Sequence, residues 1–516
     1  MPKRNDRLFL LAAVLVVAAA CGPSRNRRPI AGALEGIVPI SRPPSVRAVH
    51  GRVPKHPYLA PPGRATMHAD SYNSDVHPYG APTGGRAVVL TRDGSPLPGG
   101  MCATVTFDRG GHLVALCADL LSFDIELLEP STLELLAHYR LPPRPSTFEA
   151  LVKRDPSIVM TDTSGGAYFY LDAEDRVVLA DSRQRILLIA HRRRPDGNWE
   201  FYLERAWDLS RAVPHDCMSL GNWFPAGECD PITAVLPDWR GFIWWVTRHG
   251  RIGTLDPRSG RVAEVRLAGE EIQNGFAADR RAVYIVSDHA LYALRRGRSG
   301  RPRTIWREPY QRATRPKRGS IDQGSGTTPT LLGRRYIVIT DNADERIHLL
   351  VYDRRLRATG PRLHCKVPLF QAGASATDNS AIAYGRSIIV ENNAGYRNAI
   401  EQTDYRDVAG GIVRIDVSRG GCQVVWRSPE KAPSCVPKLS ARTGLAFFYT
   451  FEAKSAGDPP RWFLAALDFR TGKTAYKIPV GTGRKLDNNW APITIGPDGT
   501  VYVGTLAGLV AVRPQG

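Results

Sequence analysis

The sequence predicts an all-β protein, an eight-bladed β-propeller whose last blade is closed by a strand from the N-terminal part of the chain. Three observations support this prediction: a hairpin pattern that recurs eight times, a nearly regular spacing of the repeats, and a lone strand before the first repeat. The chain has 516 residues, of which 43% are apolar and 23% charged, so it can bury a large core.

Each repeat begins with polar residues, continues through a short apolar strand and a tight turn, and ends in a second apolar strand followed by acids and amides. The stretches "TTPTLLGRRYIVITDNADE" and "NSAIAYGRSIIVENNAGY" show this pattern clearly. Successive repeats start 42 to 66 residues apart, which leaves room for two further strands in each unit and is typical of propeller blades. The inner strands are predicted to begin near Cys102, Gly166, Ile232, Asn274, Thr327, Asn379, Cys435 and Trp490.

The two ends of the repeat array complement each other. The last unit stops after "LVAVRPQG", one strand short, whereas "GRAVVLTRDG" at about residues 85–94 is a strand without a unit. Pairing the two completes the eighth blade and removes an open sheet edge. A seven-bladed propeller is the alternative, because the second unit is irregular. No helical periodicity of useful length is found.

The first residues predict export. The basic start "MPKRNDR" precedes an apolar run, "LFLLAAVLVVAAA", which is too short to span a bilayer comfortably. The stretch "AAACG" resembles a bacterial lipobox, in which the cysteine, here Cys21, carries lipid. We therefore predict a signal peptide at 1–20 and a protein anchored by lipid to the membrane at the bacterial cell envelope. Secretion after cleavage at the alanines is the alternative.

Residues 21–62 are rich in Pro and Arg and predict an extended, lipid-anchored tether. Residues 63–84 are predicted to be a junction segment that packs on the propeller formed by residues 85–516. The net charge of +19 favours acidic partners, so an acidic glycan or an envelope protein is a candidate partner besides the membrane. Nucleic acid is not expected as a partner, since the chain is exported and has no basic-aromatic motif.

Seven cysteines remain when Cys21 is set aside, and an exported protein can form disulfides. Folding the first hairpin about its turn "DRGG" places Phe107 opposite His112 and Cys102 opposite Cys117, which predicts a disulfide between the two cysteines. A second disulfide is predicted between Cys217 and Cys229, where it would close a short loop. Cys365, Cys422 and Cys435 leave one thiol over, and their pairing stays open.

The stretches "LAALDFRTGKTAYKIPVGTG" and "APITIGPDGTVYVGTLAGLVAVR" resemble the repeat of quinoprotein-like propellers. The unit "VYIVSDHALYAL" is also similar to lactonase-type and strictosidine-synthase-like propellers. The first resemblance implies, for catalytic members, a bound quinone, a calcium ion, a catalytic Asp and a disulfide between adjacent cysteines. This chain has no adjacent cysteines, and Tyr476 and Glu264 stand where the family has an outer tryptophan. The same repeat also occurs in non-catalytic envelope lipoproteins, which Cys21 fits.

Acids and amides recur at the start of the inner strands and after the second strands, two places that lie on one face of a propeller around its channel. The turns of the opposite face contain no Asn. Carboxylate and amide oxygens gathered on one axis suit Ca²⁺ or sugar hydroxyls, although Asp and Asn also cap tight loops. The candidate ligands are Asn274, Asp288, Thr327, Asp341, Asn342, Asp378, Asn379, Glu391, Asn392 and Asn489.

Two functions stay open at this point. One is a ligand-binding or scaffold propeller without catalysis. The other is an enzyme at the channel mouth, either a metal-assisted lactonase or other hydrolase, or a quinone-dependent dehydrogenase. A channel mouth plugged by residues 63–81 would favour the first function, whereas calcium held by Asn274, Asn379 and Glu391 would favour the second. The sequence names no substrate.

Overall fold

The computed structural model describes residues 26–41, 43, 46–94, 100–118, 123–455 and 457–515. The predicted signal peptide and Cys21 lie outside these residues. Three strands precede the blades: β1 Gly36–Ile40, β2 Val76–His77 and β3 Gly85–Asp93.

The strands form eight sheets, one for each predicted repeat, which confirms the eight-bladed propeller and excludes the seven-bladed alternative. Each blade is antiparallel, with its first strand innermost at the channel. The strands of blades 1 to 4 are β4 Met101–Phe107, β5 Leu113–Ala118, β6 Phe123–Leu128, β7 Leu135–Leu141; β8 Tyr170–Leu171, β9 Val177–Ala180, β10 Arg185–Arg193, β11 Trp199–Asp208; β12 Ile232–Pro237, β13 Ile243–Thr247, β14 Arg251–Leu255, β15 Val262–Arg266; and β16 Ala277–Ala278, β17 Val283–Val286, β18 Ala290–Arg296, β19 Pro302–Pro309.

The strands of the second half follow the same order. They are β20 Thr330–Leu332, β21 Tyr336–Thr340, β22 His348–Asp353, β23 Leu363–Pro368; β24 Ile382–Tyr384, β25 Ser387–Glu391, β26 Ile412–Ser418, β27 Gly421–Ser428; β28 Lys438–Ser440, β29 Leu445–Glu452, β30 Arg461–Asp468, β31 Thr474–Thr482; and β32 Ile493–Ile495, β33 Val501–Thr505, β34 Gly508–Gln515. The second strand of every blade is wholly buried except at a terminal residue, because both of its faces pack against neighbouring blades.

Blade 8 is closed as the sequence predicts. Strand β34 pairs with β3 along its whole length, from Gln515 opposite Arg86 to Gly508 opposite Asp93. Strand β1 then pairs with β3 as a fifth strand. Part of the segment that was predicted to be a tether is therefore a strand on the propeller, because β3 would otherwise leave unpaired backbone groups at an open edge.

A helical insertion follows blade 1, where the sequence showed no useful helical period. It consists of helix α1 Pro145–Lys153 and helix α2 Ser157–Met160. Proline in the first turn favours the start of α1, and the helix buries Phe148 and Ala150 against the propeller. Two short 3₁₀ segments, Tyr405–Asp407 and Arg484–Leu486, lie in later loops. In the described residues no helix is both long and apolar enough to cross a bilayer.

Residues 63–77, here called the channel segment, occupy the central channel. Their side chains are mostly buried, and strand β2 adds in parallel to β28 of blade 7. Backbone oxygens of the channel segment accept hydrogen bonds of 2.8–3.0 Å from the inner strands of four successive blades: Ser71 from Ala278, Tyr72 from Leu331, Ser74 from Ala383 and Asp75 from Leu439. The segment therefore plugs the channel and satisfies the inner edges of these blades.

The structure contains three disulfides among the described residues, including the two that were predicted. The predicted hairpin register was wrong by one residue: Phe107 lies opposite Leu113, and a bulge at Ala103 then brings Cys102 opposite Cys117. The third disulfide joins Cys365 on β23 to Cys422 on β27 and so connects blades 5 and 6 at their outer edges. Cys217 pairs with Cys229, and Cys435 is free and buried.

Candidate functional site

A cavity of about 400 Å³ lies at the channel mouth, between the channel segment and the α1–α2 insertion. This volume falls in the range of small-molecule sites. Three of the five methionines of the chain, Met67, Met101 and Met160, line it together with Val159 and Leu506. Methionine is flexible and polarizable, so this wall can adapt to the shape of an apolar ligand.

A buried polar cluster around Asp75 of the channel segment, here called the floor, reaches the cavity through His68 and Ser380. Asp75 accepts hydrogen bonds from Nδ1 of His68 at 3.0 Å and from the hydroxyl of Ser380 at 2.9 Å. The Lys438 ammonium lies 2.8 Å from the same carboxylate, and both side chains are fully buried. The cluster therefore joins the channel segment to blades 6 and 7 through groups that neutralise one another.

The charges of this cluster follow from its burial. Burial by itself would raise the pKa of Asp75, but the nearby Lys438 ammonium and His68 outweigh it, so the pKa of Asp75 is lowered. Burial and the same ammonium lower the pKa of His77 to about 3. Asp75 is thus the anion of the floor, and His77 is neutral beside it.

Four buried residues that line the cavity carry a hydrogen-bond acceptor without a partner among the described residues. They are His68 at Nε2, Gln273 at Oε1, Asp378 at Oδ1 and Asn379 at Oδ1. The carboxylate of Asp75 can only accept, so Nδ1 of His68 donates to it, and in the tautomer with the proton on Nδ1 the Nε2 atom keeps its lone pair. Buried acceptors without partners are costly, so this wall suits a ligand that donates hydrogen bonds.

Two acids stand at or behind this wall. Asp378 lines the cavity and accepts a hydrogen bond of 2.6 Å from the backbone of Ile321, and burial raises its pKa well above the usual range. Glu391 lies behind Asn379 and accepts a short hydrogen bond from the Asn379 amide. Burial raises the pKa of Glu391 to about 8, so it holds its proton at neutral pH.

The edge of the cavity at blade 8 has a constrained backbone. Asn489 and Trp490 are consecutive non-glycine residues with φ of 43° and 63°. Such conformations cost about 1–2 kcal/mol each, so the surroundings must hold them. Asn489 accepts a hydrogen bond of 2.9 Å from the backbone of Ala399 and receives support from Asp487, which accepts from its backbone N–H at 3.0 Å.

The predicted candidates fall into two groups in the structure. Four line the cavity: Asn274, Asp378, Asn379 and Asn489, with Glu391 just behind. The other five lie outside it and bind the protein itself: Thr327 bonds the Thr340 backbone, Asp288 pairs with Arg312, Asp341 with His348, Asn342 with the Asp322 backbone, and Asn392 with the backbone of Ala374 and Gly410.

Sequence reasoning missed several residues that line the cavity. His68, Ser380 and Tyr168 were not among the predicted candidates, because no sequence pattern distinguished them. Tyr168 stacks on His68 with ring centroids 6.1 Å apart and donates a 3.1 Å hydrogen bond to Asn274. The unusual number of buried polar residues between positions 66 and 77 is visible only once the fold is known.

A second cluster, away from the cavity, has metal-ligand residue types. Glu228, Asp230 and His249 place one potential ligand atom each within 4.8 Å of one another. However, the Arg251 guanidinium lies 3.3 Å from the Asp230 carboxylate and 3.7 Å from that of Glu228. A cation is therefore already supplied by the protein, and we assign no metal to this cluster.

Comparison with known proteins is consistent with the fold. No protein-family model matches the chain. An uncharacterized protein of Archaeoglobus fulgidus is 25% identical over 316 residues, which span 54% of this chain and 60% of that protein. The match therefore covers less than two thirds of the relative's length.

Solved structures add a fold likeness to quinoprotein-type propellers. Quinohemoprotein alcohol dehydrogenase from Comamonas testosteroni superposes with a TM-score of 0.55 at 10% identity, over 89% of this chain and 82% of that one. BamB from Moraxella catarrhalis matches with a TM-score of 0.42 at 14% identity, over 83% and 96% of the two chains. At these identities the first likeness shows the propeller fold alone.

Proposed function

We propose that the protein is a ligand-binding protein of the bacterial cell envelope, which holds a small amphipathic molecule in the cavity at the channel mouth. The observation that carries the proposal is the cavity, in which an apolar wall faces hydrogen-bond acceptors without partners. A ligand with an apolar body and hydroxyl or amino donors would satisfy both surfaces. The channel segment supports binding rather than passage, because it closes the floor of the site.

The N-terminus and the cysteines support a place of action outside the cytoplasm, at the membrane. Three disulfides are typical of a protein that folds in an oxidising compartment outside the cytoplasm. The apolar start and Cys21 support a lipid anchor, which would hold the propeller at the membrane. The net charge of +19 supports contact with an acidic glycan or an acidic envelope protein.

Filling the cavity tests the binding function. Ala103 lines the cavity at the bulge of β4 and is only partly buried, so Ala103→Trp would fill the cavity without disturbing the blade core. We expect the wild-type protein to bind the apolar fluorophore N-phenyl-naphthylamine and Ala103→Trp to lose this binding. Val425→Trp, at an exposed position of β27, is the matched control. Equal binding by Ala103→Trp and wild type would place the fluorophore elsewhere and contradict the proposal.

Calcium is a second proposal for the same wall. Asn379, Gln273 and Asp378 offer amide and carboxylate oxygens, which are the ligands that Ca²⁺ prefers. The fit requires Asp378 to ionise against the burial that raises its pKa. These residues would hold the ion and supply no more than part of its oxygen shell.

One observation favours catalysis as an alternative to the binding function. Nε2 of His68 has a free lone pair in the cavity while Asp75 fixes the ring through Nδ1, an arrangement suited to a general base. In hydrolysis of an ester or lactone, Nε2 would take a proton from water as the water oxygen attacks the carbonyl carbon, and the departing alkoxide would recover that proton. Turnover of a lactone or aryl ester that is lost in His68→Gln would support the enzyme. Retained fluorophore binding without turnover would leave the binding function.

A further inference from the structure

Arg144 is a buried cation at the wall of the cavity. It is 6% exposed, lines the cavity, and precedes the first residue of α1. Its Nη1 donates a 2.7 Å hydrogen bond to the backbone oxygen of Asp162, and its guanidinium carbon lies 4.5 Å from the centre of the Phe123 ring. Nε has no hydrogen-bond partner in the described part of the chain. Neither the carbonyl nor the ring carries a full negative charge.

The other buried arginines of the described residues differ from Arg144 in having a carboxylate partner. Four arginines are buried in the described residues, and three of them have a carboxylate within 4 Å. These are Arg92 with Glu126 at 3.4 Å, Arg354 with Asp279 at 3.5 Å and Arg414 with Asp416 at 3.0 Å. No described carboxylate lies within 4 Å of a nitrogen of Arg144. Because an unpaired buried charge is strongly unfavourable, a cation at a cavity wall calls for an anion from the ligand.

The surroundings are shaped for this side chain. Gly165 lies against it with φ of +66°, and a Cβ at this glycine would lie 2.8 Å from Nε of Arg144. The carboxylate of Asp162 is engaged elsewhere, by the backbone N–H of Ser164 at 2.8 Å and the hydroxyl of Ser146. The guanidinium is thus held in position, while the Asp162 carboxylate attracts it without an ion-pair contact and is used to fix the loop.

We infer that the ligand of the channel-mouth cavity carries a carboxylate, which pairs with Arg144 while its apolar chain lies along the methionine-rich wall. This inference rests on the proposed binding function and names its ligand class, an amphipathic carboxylic acid. A guanidinium presents several donors in one plane and matches the geometry of a carboxylate. The free acceptors of His68, Gln273 and Asn379 would favour acids that also carry hydroxyl or amide N–H donors.

The experiment compares two probes that differ only at the polar end. Dansyl-labelled undecanoic acid and the corresponding dansyl-labelled alcohol are titrated into the full-length protein at neutral pH. We expect wild type to prefer the acid and Arg144→Met to lose about tenfold or more of the affinity for it, since the variant removes a charged hydrogen bond to the carboxylate. Affinity for the alcohol should change little. Lys153→Met, which removes an exposed cation from the adjoining helix α1, should leave both affinities unchanged.

Wild type alone provides a second measurement if Arg144→Met does not fold. Protonation of the probe carboxyl at about pH 4–5 should weaken binding of the acid but not of the alcohol. Equal affinity of wild type for the two probes, or an unchanged acid affinity in Arg144→Met, would overturn the inference and leave the binding function standing. Failure of both probes to bind would overturn the inference together with the proposed function.

Discussion

Replacing Lys438 with methionine should destabilise the protein by about 3–5 kcal/mol, because it leaves a buried carboxylate without its cation. Lys438 and Asp75 are both fully buried, with their charged atoms 2.8 Å apart. Methionine matches most of the volume of the lysine stem, so little of the loss should come from a cavity. The remaining neighbours of the carboxylate, His68 and Ser380, donate hydrogen bonds but supply no permanent charge.

A double-mutant cycle separates the charge effect from general damage. Lys438→Met combined with Asp75→Asn removes both charges, so the double variant should be more stable than Lys438→Met alone. Lys473→Met, at an exposed position of the same blade, is the matched control and should change the free energy of unfolding by no more than about 0.5 kcal/mol. The free energy of unfolding is measured by urea denaturation followed by tryptophan fluorescence.

The pH dependence provides an independent check with a defined sign. The pKa of Asp75 is lowered in the folded wild-type protein, so its contribution is present above the ordinary value of 3.8 and is lost as the pH falls below it. In Lys438→Met the carboxylate is no longer stabilised, and acid should relieve the defect by protonating it. A loss below about 1 kcal/mol at neutral pH, as for an exposed pair, or a double variant no more stable than Lys438→Met, would refute the reasoning.

Three further predictions concern other parts of the chain. Burial raises the pKa of Glu391 from 4.5 to about 8, so the free energy of unfolding of wild type should fall as the pH rises from 4.5 to about 8. Glu391→Gln should not show this fall, and equal pH profiles of the two proteins in denaturant unfolding would contradict the prediction. Cys21→Ala should move the protein from the membrane fraction to the soluble fraction, and a variant that stays membrane-bound would make the lipoprotein prediction wrong. If calcium occupies the cavity, elemental analysis should find it in purified wild type and not in Asn379→Ala of unchanged fold; absence from both proteins would sink the calcium proposal.

Local patterns were sufficient to place most blades. In the last five blades the predicted starts lie three residues before the inner strands, for example Asn379 before Ile382 and Trp490 before Ile493. The polar residue stands where the chain enters the channel edge, and the apolar residues that follow are the strand. The first interval is longer because of the α1–α2 insertion, which is visible only in the structure. The second interval contains the loop closed by Cys217 and Cys229, which the sequence predicts.

Four of the ten candidate ligands line the cavity, and their role in binding stays a prediction. Asn274, Asp378, Asn379 and Asn489 line one cavity, because propeller symmetry carries equivalent positions to the same ring. Thr327, Asp341 and Asn392 occupy similar positions in the sequence but turn back onto their own loops. Sequence position determines which face of the propeller a residue lies on, whereas side-chain direction depends on neighbours from other blades.

The sequence by itself determined the number of blades, the strand that closes the last one and two disulfides. These features follow from alternating apolar patterns and from pairing between strands that are adjacent in the chain or at its two ends. Only the tertiary structure decided what lies in the channel and what forms the cavity. The contacts of the floor join Asp75 to Ser380 and His68 to Ser380 across 305 and 312 residues. Such contacts leave no local pattern, because each partner is buried by a part of the chain that only the closed ring of blades brings to it.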